Sequence, residues 1–388
     1  MEPLPSGLRN RYFVCPTYRD APMPWDPRTK DTDIPFGHLA YLGGLFETME
    51  RTTDVRDLTF YVTWRLDVLP TYGPDVVAVV MGDEIGRYPL YTNRVRAVFK
   101  MEGTDFPLEA NLLHTPPALT AITAVKYART QALRMPHVLQ ARRDRTQGPP
   151  WTGGAPVPIY DIPIGYIKQD DLPMKPLSER AYDLYFSGSI SNKAFRWYTP
   201  QYWLRSPKEV ARSRMVAAMR ALRRHRSDLR IEIDTHDTYV PRAHAATASP
   251  ARSYSEMMMD TRICPVPRGT RLETGRLYEA MRYGCVLVCE PLPDRWFTRD
   301  LPAVYLHDWA DLPAVVDDLL RHPKRMEALH RQTLAWWRRV CSEEAVARYI
   351  AERLCAPPYV SGNPPARRAV DAADAEDAAV QALRQTAP

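Results

Sequence analysis

One short stretch of the chain, residues 265–293, concentrates side chains that bind phosphate. It places arginines, glycines and a hydroxyl group where a strand pattern gives way to a helix pattern: Arg268, Gly269, Arg271, Thr274, Gly275 and Arg276. Guanidinium groups form paired hydrogen bonds with phosphate oxygens, and the free amide groups at a helix N-terminus also favour an anion. Glycine lets a ligand approach the backbone closely. This pattern predicts a phosphate site at the start of a helix.

A carboxylate follows the arginines at helical spacing. Glu279 lies three residues after Arg276, so the two side chains share one face of the predicted helix. A carboxylate at that point can accept hydrogen bonds from ribose hydroxyl groups while the arginines hold a diphosphate. The same spacing also suits a surface salt bridge between Arg276 and Glu273 or Glu279, which is a common feature of exposed helices. Spacing alone leaves both interpretations open.

The surrounding sequence alternates strand and helix patterns through two successive halves. Such alternation predicts parallel sheets with helices on both faces, and therefore an α/β fold of two Rossmann-like domains facing a cleft. We expect a first domain over residues 1–165, a linker over 166–180 and a second domain over 181–355. Helices close the second domain. The segment 356–388 is rich in Pro and Ala, and we expect a partly disordered tail there.

The second half resembles the exostosin-like glycosyltransferases. That family combines a Tyr-rich short helix, a strand ending in Pro-x-Gly, a Ser-x-Arg-x-x-Glu-Ala sequence and a Gly before an apolar strand. The corresponding residues here are Tyr254, Pro267 to Gly269, Thr274 to Arg276, Glu279 with Ala280, and Gly284, with Thr274 in place of the usual Ser. The match covers about forty residues. The resemblance implies a two-domain glycosyltransferase fold of the B type (GT-B), with the sugar nucleotide bound mainly by the second domain and the acceptor by the first.

A second candidate for phosphate binding follows the first strand of the second domain. Gly188 ends that strand, and Lys193 or Arg196 can reach a phosphate from the next segment. The segment lacks the GxxxxGK[ST] pattern of a Walker loop. An ordinary loop between a strand and a helix explains it equally well.

Inverting sugar transfer needs a general base that takes the proton of the acceptor hydroxyl group. Asp83 and Glu84 directly follow a buried strand of the first domain, where a doubly wound fold opens its ligand crevice. His38 lies in the first predicted helix and is a third candidate. The alternatives are a solvated turn for the two acids and local packing for the histidine.

Several other classes of function are not indicated. The six cysteines form no CxxC pair, so we expect no zinc site. The Asp-Thr-Asp sequence at residues 31–33 mimics a metal-binding DxD motif, but it lies in a predicted loop, and B-type enzymes generally need no metal. No GxGxxG follows the first strand, which argues against a dinucleotide-dependent oxidoreductase. No motif combines basic and aromatic residues as nucleic-acid binding requires.

We therefore expect a glycosyltransferase, either a hexosyl- or a pentosyltransferase, acting without a cofactor or metal. Its donor is a UDP- or GDP-sugar, and its acceptor is a glycan or another molecule with a hydroxyl group. The family resemblance favours inversion over retention. A non-catalytic member of the same fold that binds sugar or nucleotide is the alternative. No apolar run is long enough for a transmembrane helix and the N-terminus lacks a signal peptide, so we expect a cytoplasmic protein.

Overall fold

A computed structural model describes most of the chain outside its last segment. The described residues are 7–16, 21–29, 38–144, 148–167, 170–190, 206–236 and 253–355. They form two β-sheets of six and five strands. The two-sheet α/β fold predicted from the alternation is thereby confirmed. The expected tail at 356–388 and the Asp-Thr-Asp sequence at 31–33 lie outside the described residues.

The first sheet, with the helices packed on it, is called the N-terminal lobe. Its strands are β1 (Arg11–Cys15), β2 (Met23–Pro24), β3 (Thr59–Thr63), β4 (Gly73–Val80), β5 (Val95–Met101) and β6 (Ile159–Ile162). Their spatial order is β2-β1-β3-β4-β5-β6, and every pair is parallel except β1 with β2. The central strands are apolar runs because both faces of a parallel sheet are covered.

Among the described residues, two helices belong to the N-terminal lobe: α1 (Leu39–Thr52) and α2 (Pro117–Asp144). Helix α1 buries an apolar stripe that includes Leu42, Leu45 and Phe46. Helix α2 extends well beyond the Ala118 to Leu133 pattern that predicts it, and it continues past Pro136. Pro136 is exposed, and as a proline inside a helix it donates no backbone hydrogen bond to the turn before it.

The second sheet, with its helices, is called the C-terminal lobe. Its strands are β7 (Tyr182–Ser189), β8 (Ile231–His236), β9 (Thr261–Val266), β10 (Val286–Cys289) and β11 (Ala303–Tyr305). They are all parallel, in the order β11-β10-β9-β7-β8. The chain passes from the first sheet to the second between Ile162 and Tyr182. The predicted domain and linker bounds stay a prediction.

The remaining helices follow in chain order: α3 (Pro207–His225), α4 (Tyr254–Met259), α5 (Gly275–Arg282), α6 (Leu312–Arg321), α7 (Pro323–Trp336) and α8 (Glu343–Cys355). Helices α3 and α4 each begin with a capping box, formed by Ser206 with Glu209 and by Ser253 with Glu256. In a capping box the serine hydroxyl and the glutamate each satisfy an otherwise unpaired backbone amide. These local signals fix where both helices start.

The last helix returns to the N-terminal lobe. Helix α8 packs along α1, and the carbonyl of Leu354 accepts a 2.8 Å hydrogen bond from Arg96 Nη2 on β5. Tyr349 stacks on Trp296 with ring centroids 4.3 Å apart. One apolar core therefore contains residues of both lobes and fixes their relative position.

The carboxyl ends of the two sheets face each other. Arg271, after β9, donates hydrogen bonds to the carbonyls of Glu84 and Asp105, which follow β4 and β5. Trp296, after β10, donates to the carbonyl of Asp161 on β6 at 2.8 Å. Ligands of parallel α/β sheets bind outside these ends. The cleft between the lobes is therefore the expected place for a ligand.

Candidate functional site

The predicted phosphate site lies at the start of α5, as the sequence pattern indicates. Strand β9 ends at Val266, a compact loop spans residues 267–274, and Thr274 occupies the N-cap of α5. The loop is closed by a 2.8 Å hydrogen bond from the Gly269 amide to the Arg271 carbonyl. The Thr274 hydroxyl group makes no capping bond and is buried without a hydrogen-bond partner among the described residues. An unpaired buried hydroxyl group at a helix start is a ready contact for a ligand.

Arg276 projects from the first turn of α5 into the same place. Its guanidinium lies 4.6 Å from the ring centroid of Phe186 and 5.8 Å from that of Tyr254. Its Nη2 donates to the carbonyl of Ser187, while Nη1 is buried with no hydrogen-bond partner among the described residues. Arg276 is only 4% exposed. A buried cation with a spare donor is costly unless an anion completes its environment.

Two further cations from α3 meet at the end of β7. Lys208 Nζ lies 3.0 Å from Ser189 Oγ, and Arg212 donates to the Ser189 carbonyl at 2.6 Å and to the Arg268 carbonyl at 3.0 Å. Burial and the nearby charge of Arg212 lower the pKa of Lys208 to about 8. Lys208, Arg212 and Arg276 are called the basic cluster below. Sequence analysis identified only the last of them, because α3 is far from β9 along the chain.

Gly188 is the point where the basic cluster converges. A β-carbon at this position would lie 3.4 Å from Arg276 Nη2 and 3.6 Å from Arg212 Nη1. The glycine therefore keeps the space between the two guanidinium groups open. Its predicted partners Lys193 and Arg196 lie outside the described residues.

Arg268 and Arg271 are placed differently from Arg276. Both are 3% exposed and both approach the carboxylate of Glu109 from the N-terminal lobe, at 4.0 Å for Arg268 Nη1 and 3.2 Å for Arg271 Nε. Arg268 is also hydrogen-bonded to Glu290, which follows β10. Lys126 on α2 completes the group at 3.9 Å from Glu109. These two arginines hold the lobes together across the cleft.

Glu273 also has an architectural position. Its carboxylate accepts hydrogen bonds from the Ile164 amide at 3.0 Å and the Tyr278 hydroxyl group at 2.6 Å, and it pairs with Arg295 at 2.7 Å. Because Ile164 follows β6, Glu273 is a second link between the lobes. It does not form the surface pair with Arg276 that spacing alone allowed.

A cavity of about 230 Å³ adjoins the Arg268 and Glu109 pair. Both lobes line this interlobe cavity, with polar groups on its wall beside leucines: Glu109, Asn111, Arg268, Leu272, Glu290 and His307. Arg268 Nη1 and both carboxylate oxygens of Glu109 lack a hydrogen-bond partner among the described residues. The cavity therefore offers donors and acceptors to a small polar ligand, beside the basic cluster.

Glu279 is fully buried in the interior of α5. The Tyr254 hydroxyl group donates a 2.9 Å hydrogen bond to Glu279 Oε2. Tyr254 belongs to α4 and also flanks Arg276, so the two motif residues share a neighbour. Arg282, at the end of the same helix and three residues after Glu279, pairs with Asp171 instead. The burial of Glu279 places it outside any solvated surface pair.

The three predicted base candidates differ in environment. Asp83 is buried and paired with Lys100 at 3.3 Å and Arg87 at 3.1 Å. Burial alone would raise its pKa, but Lys100 and Arg87 together hold the pKa of Asp83 below its usual value. Glu84 is exposed at the rim of the cleft. His38 is the N-cap residue of α1, and its carbonyl accepts from the Leu42 amide at 3.1 Å.

Glu102, which directly follows β5, is a fourth candidate base that was not predicted from the sequence. Its backbone has φ 59°, and its carbonyl accepts a hydrogen bond from Arg295 of the C-terminal lobe. Its Oε2 atom is buried without a hydrogen-bond partner among the described residues. Burial raises the pKa of Glu102 to about 7 against the opposing charge of Arg271. The only sequence signal was its place after a buried strand, which it shares with Asp83 and Glu84.

No protein-family model and no curated protein sequence matches the chain. Solved structures with a similar backbone include TarM, at 10% identity over 81% of this chain and 58% of TarM, with a TM-score of 0.37. An α-glucosyltransferase in complex with UDP-glucose and DNA containing an abasic site has 9% identity over 80% of this chain and 83% of that chain, with a TM-score of 0.36. Anabaena HepE in complex with UDP has 10% identity over 82% of this chain and 75% of HepE, with a TM-score of 0.32.

The chain spans less than two thirds of TarM. These identities and scores are too low to transfer a function. The exostosin-like resemblance also stays a prediction.

Proposed function

We propose that the protein is a glycosyltransferase that moves a sugar from a UDP- or GDP-sugar to a hydroxyl group of a glycan or other acceptor. The observation that carries the proposal is the basic cluster. Three cations, of which Lys208 and Arg276 are buried and Arg212 is partly buried, meet near Gly188, at the carboxyl end of β7 and beside the start of α5. Cations and helix-terminal amides together favour a diphosphate.

The other parts of a nucleotide sugar fit around a diphosphate held there. Glu279 lies three residues beyond Arg276, nearly one helical turn and about 5 Å along the axis, which matches the step from diphosphate to ribose. The interlobe cavity lies on the other side, beyond the Arg268 carbonyl that accepts from Arg212. Its carboxylates, Asn111 and His307 suit the hydroxyl groups of a donor sugar. Since both lobes line it, an acceptor bound by the N-terminal lobe can reach the anomeric carbon.

The proposed reaction is a direct displacement with inversion. The acceptor oxygen forms a bond to the anomeric carbon, and the bond from that carbon to the diphosphate oxygen breaks. The basic cluster and the amides of α5 stabilise the negative charge that develops on the leaving diphosphate. The acceptor proton passes to a carboxylate, for which Glu102 is the best suited of the four acids and bases because a pKa near 7 matches neutral operation. We propose that a metal ion has no part in these steps.

A thermal-shift series tests the donor site. UDP or GDP is expected to raise the melting temperature, because a ligand that binds only the native state at a hundred times its Kd stabilises it by about 2.7 kcal/mol. The matching nucleoside, which lacks phosphate, serves as the control and is expected to give little shift. Absence of a shift with every nucleoside diphosphate and nucleotide sugar would refute the proposed function. Turnover of the donor in EDTA, with a glycan acceptor, then separates an enzyme from a non-catalytic binder of the same ligand.

Glu279→Gln is expected to reduce discrimination between a ribonucleotide donor and its 2′,3′-dideoxy analogue. The wild-type carboxylate accepts from two vicinal hydroxyl groups, and loss of such charge-assisted bonds costs about 1.5–3 kcal/mol, or roughly ten- to more than a hundredfold in affinity. Calorimetry with both ligands measures the effect. Glu327→Gln, at an exposed position on α7, is the matched control. Equal ribose preference in the wild type and Glu279→Gln would make Glu279 structural.

A further inference from the structure

Helix α2 presents an apolar face to solvent. Seven residues recur at alternating steps of three and four along it and are all exposed: Ala118, Ala121, Val125, Ala128, Ala132, Met135 and Leu139. Steps of three and four place side chains on one face of a helix. Val125 is 71% exposed and Leu139 is 51% exposed. This stripe, together with the exposed leucines described next, is called the outer face of α2.

The outer face continues into the turn before the helix. Leu112 and Leu113 are 68% and 87% exposed. Leu133, on the flank of the stripe, is also exposed. Much of the exposed large apolar surface of the described residues therefore lies in one region between Leu108 and Leu139. Contiguous exposure of this kind marks a surface that contacts something else.

The opposite face of α2 is the polar one, and it attaches the helix to the protein. Lys126 approaches Glu109 at 3.9 Å, Gln131 donates to the Phe106 carbonyl at 3.3 Å, and Arg134 donates to the Thr104 carbonyl. His137 Nδ1 lies 3.0 Å from the Tyr88 carbonyl. An ordinary surface helix packs its apolar side against the core. In α2 the polar side contacts the protein and the apolar side faces solvent.

The charges beside the outer face determine what can cover it. Arg129, Arg142 and Arg143 are exposed along its edge and at its end, while Asp144 is the only acidic residue of α2. A second copy of the chain docked through this face would bring these arginines near one another. An anionic partner complements them. Arginines bordering leucines and valines suit the interface of a bilayer with acidic headgroups.

We propose that the outer face of α2, with Leu112 and Leu113, docks the protein on the surface of an anionic lipid bilayer. The leucines enter the boundary between headgroups and acyl chains, and the arginines contact lipid phosphate. No helix of the described ranges is long and apolar enough to cross a membrane, so the helix lies in the plane of the surface. The proposal is independent of the donor site.

Flotation with vesicles tests the docking, using phosphatidylcholine alone and phosphatidylcholine mixed with phosphatidylglycerol. The full chain is expected to float with the anionic vesicles and to be released by high salt, which screens the arginines. Leu112→Ser with Leu113→Ser should weaken partitioning at least tenfold. Arg129→Glu with Arg142→Glu and Arg143→Glu should weaken it by roughly a hundredfold or more.

Arg223→Glu with Arg224→Glu, at the exposed end of α3, is the matched charge control and should lose far less binding. All variants change exposed side chains, and circular dichroism confirms that they fold. Failure of the wild type to bind anionic vesicles would overturn the proposal. So would equal binding to both kinds of vesicle, equal loss in the α3 control, or a dimer in light scattering that the leucine variants convert to monomer.

Discussion

Arg276→Ala is expected to weaken binding of UDP or GDP roughly tenfold to more than a hundredfold, the equivalent of about 1.5–3 kcal/mol. The guanidinium is buried between Phe186 and Tyr254 and has one nitrogen without a hydrogen-bond partner among the described residues. A diphosphate oxygen can accept a hydrogen bond from that nitrogen. The loss of side-chain conformational entropy on binding is small, because the arginine is already held in place. Isothermal titration calorimetry with purified variants measures the change.

Arg214→Ala is the matched control for this prediction. Arg214 lies on α3, near the basic cluster in sequence, but pairs with Asp308 at a partly exposed position. Such pairs contribute about 1 kcal/mol at most, so nucleotide affinity should stay close to that of the wild type. Equal affinity in folded Arg276→Ala and the wild type would remove Arg276 from the donor site.

The cleft arginines show why charge alone did not identify the ligand contacts. Arg268, Arg271 and Arg276 are close in sequence and were predicted to act together. The structure places the first two against Glu109, which is distant in sequence, and leaves Arg276 near Lys208 and Arg212. The change from a loop rich in glycine and arginine to a helical pattern predicted the helix start correctly, because that change is local in the sequence. It did not predict the ion pairs, since these form only when the lobes meet.

The same distinction holds for the fold. Strand β4 was evident from the continuous apolar run at residues 76–80, because burial on both faces of a parallel sheet requires apolar side chains at successive positions. The packing of α8 on α1 could not be predicted from the sequence, because an amphipathic helix has the same apolar pattern whichever lobe it packs against. Helix α2 continues past Leu133, where the helical pattern in the sequence was taken to end, and past Pro136, a residue that normally ends or kinks a helix.

Glu102 illustrates a functional candidate that sequence analysis could not distinguish. Asp83, Glu84 and Glu102 all follow buried strands of the first sheet. Tertiary contacts make the pKa values of Asp83 and Glu102 differ. Lys100 and Arg87 lower the pKa of Asp83, whereas burial raises the pKa of Glu102. A general base that works near neutral pH needs a pKa close to 7, and burial gives Glu102 such a pKa.

Glu102→Gln is therefore expected to lower kcat by roughly 10²–10⁴ while leaving the Kd of the donor unchanged. The amide keeps the shape of the side chain but cannot take the acceptor proton. The wild-type rate should rise as the pH passes through about 7, because the carboxyl group of Glu102 ionises there. The rate of the variant should not show this rise with pH. Glu84→Gln is the competing variant on the same edge of the sheet. If Glu84→Gln lowers kcat by this amount while the kcat of Glu102→Gln stays within a few fold of the wild-type value, the base is Glu84.

Stability provides a second readout for Glu102 that does not depend on turnover. Its pKa is about 7 in the folded protein against a usual value of 4.5, so the folded state binds more protons between these limits. The stabilisation from the protonated carboxyl group is present below about pH 4.5 and is lost as pH rises through 7. At pH 8 the ionised group costs roughly 3 kcal/mol. Glu102→Gln should then melt higher than the wild type at pH 8 but not at pH 4.5, and equal melting differences at both values would show that the carboxyl group is not buried as described.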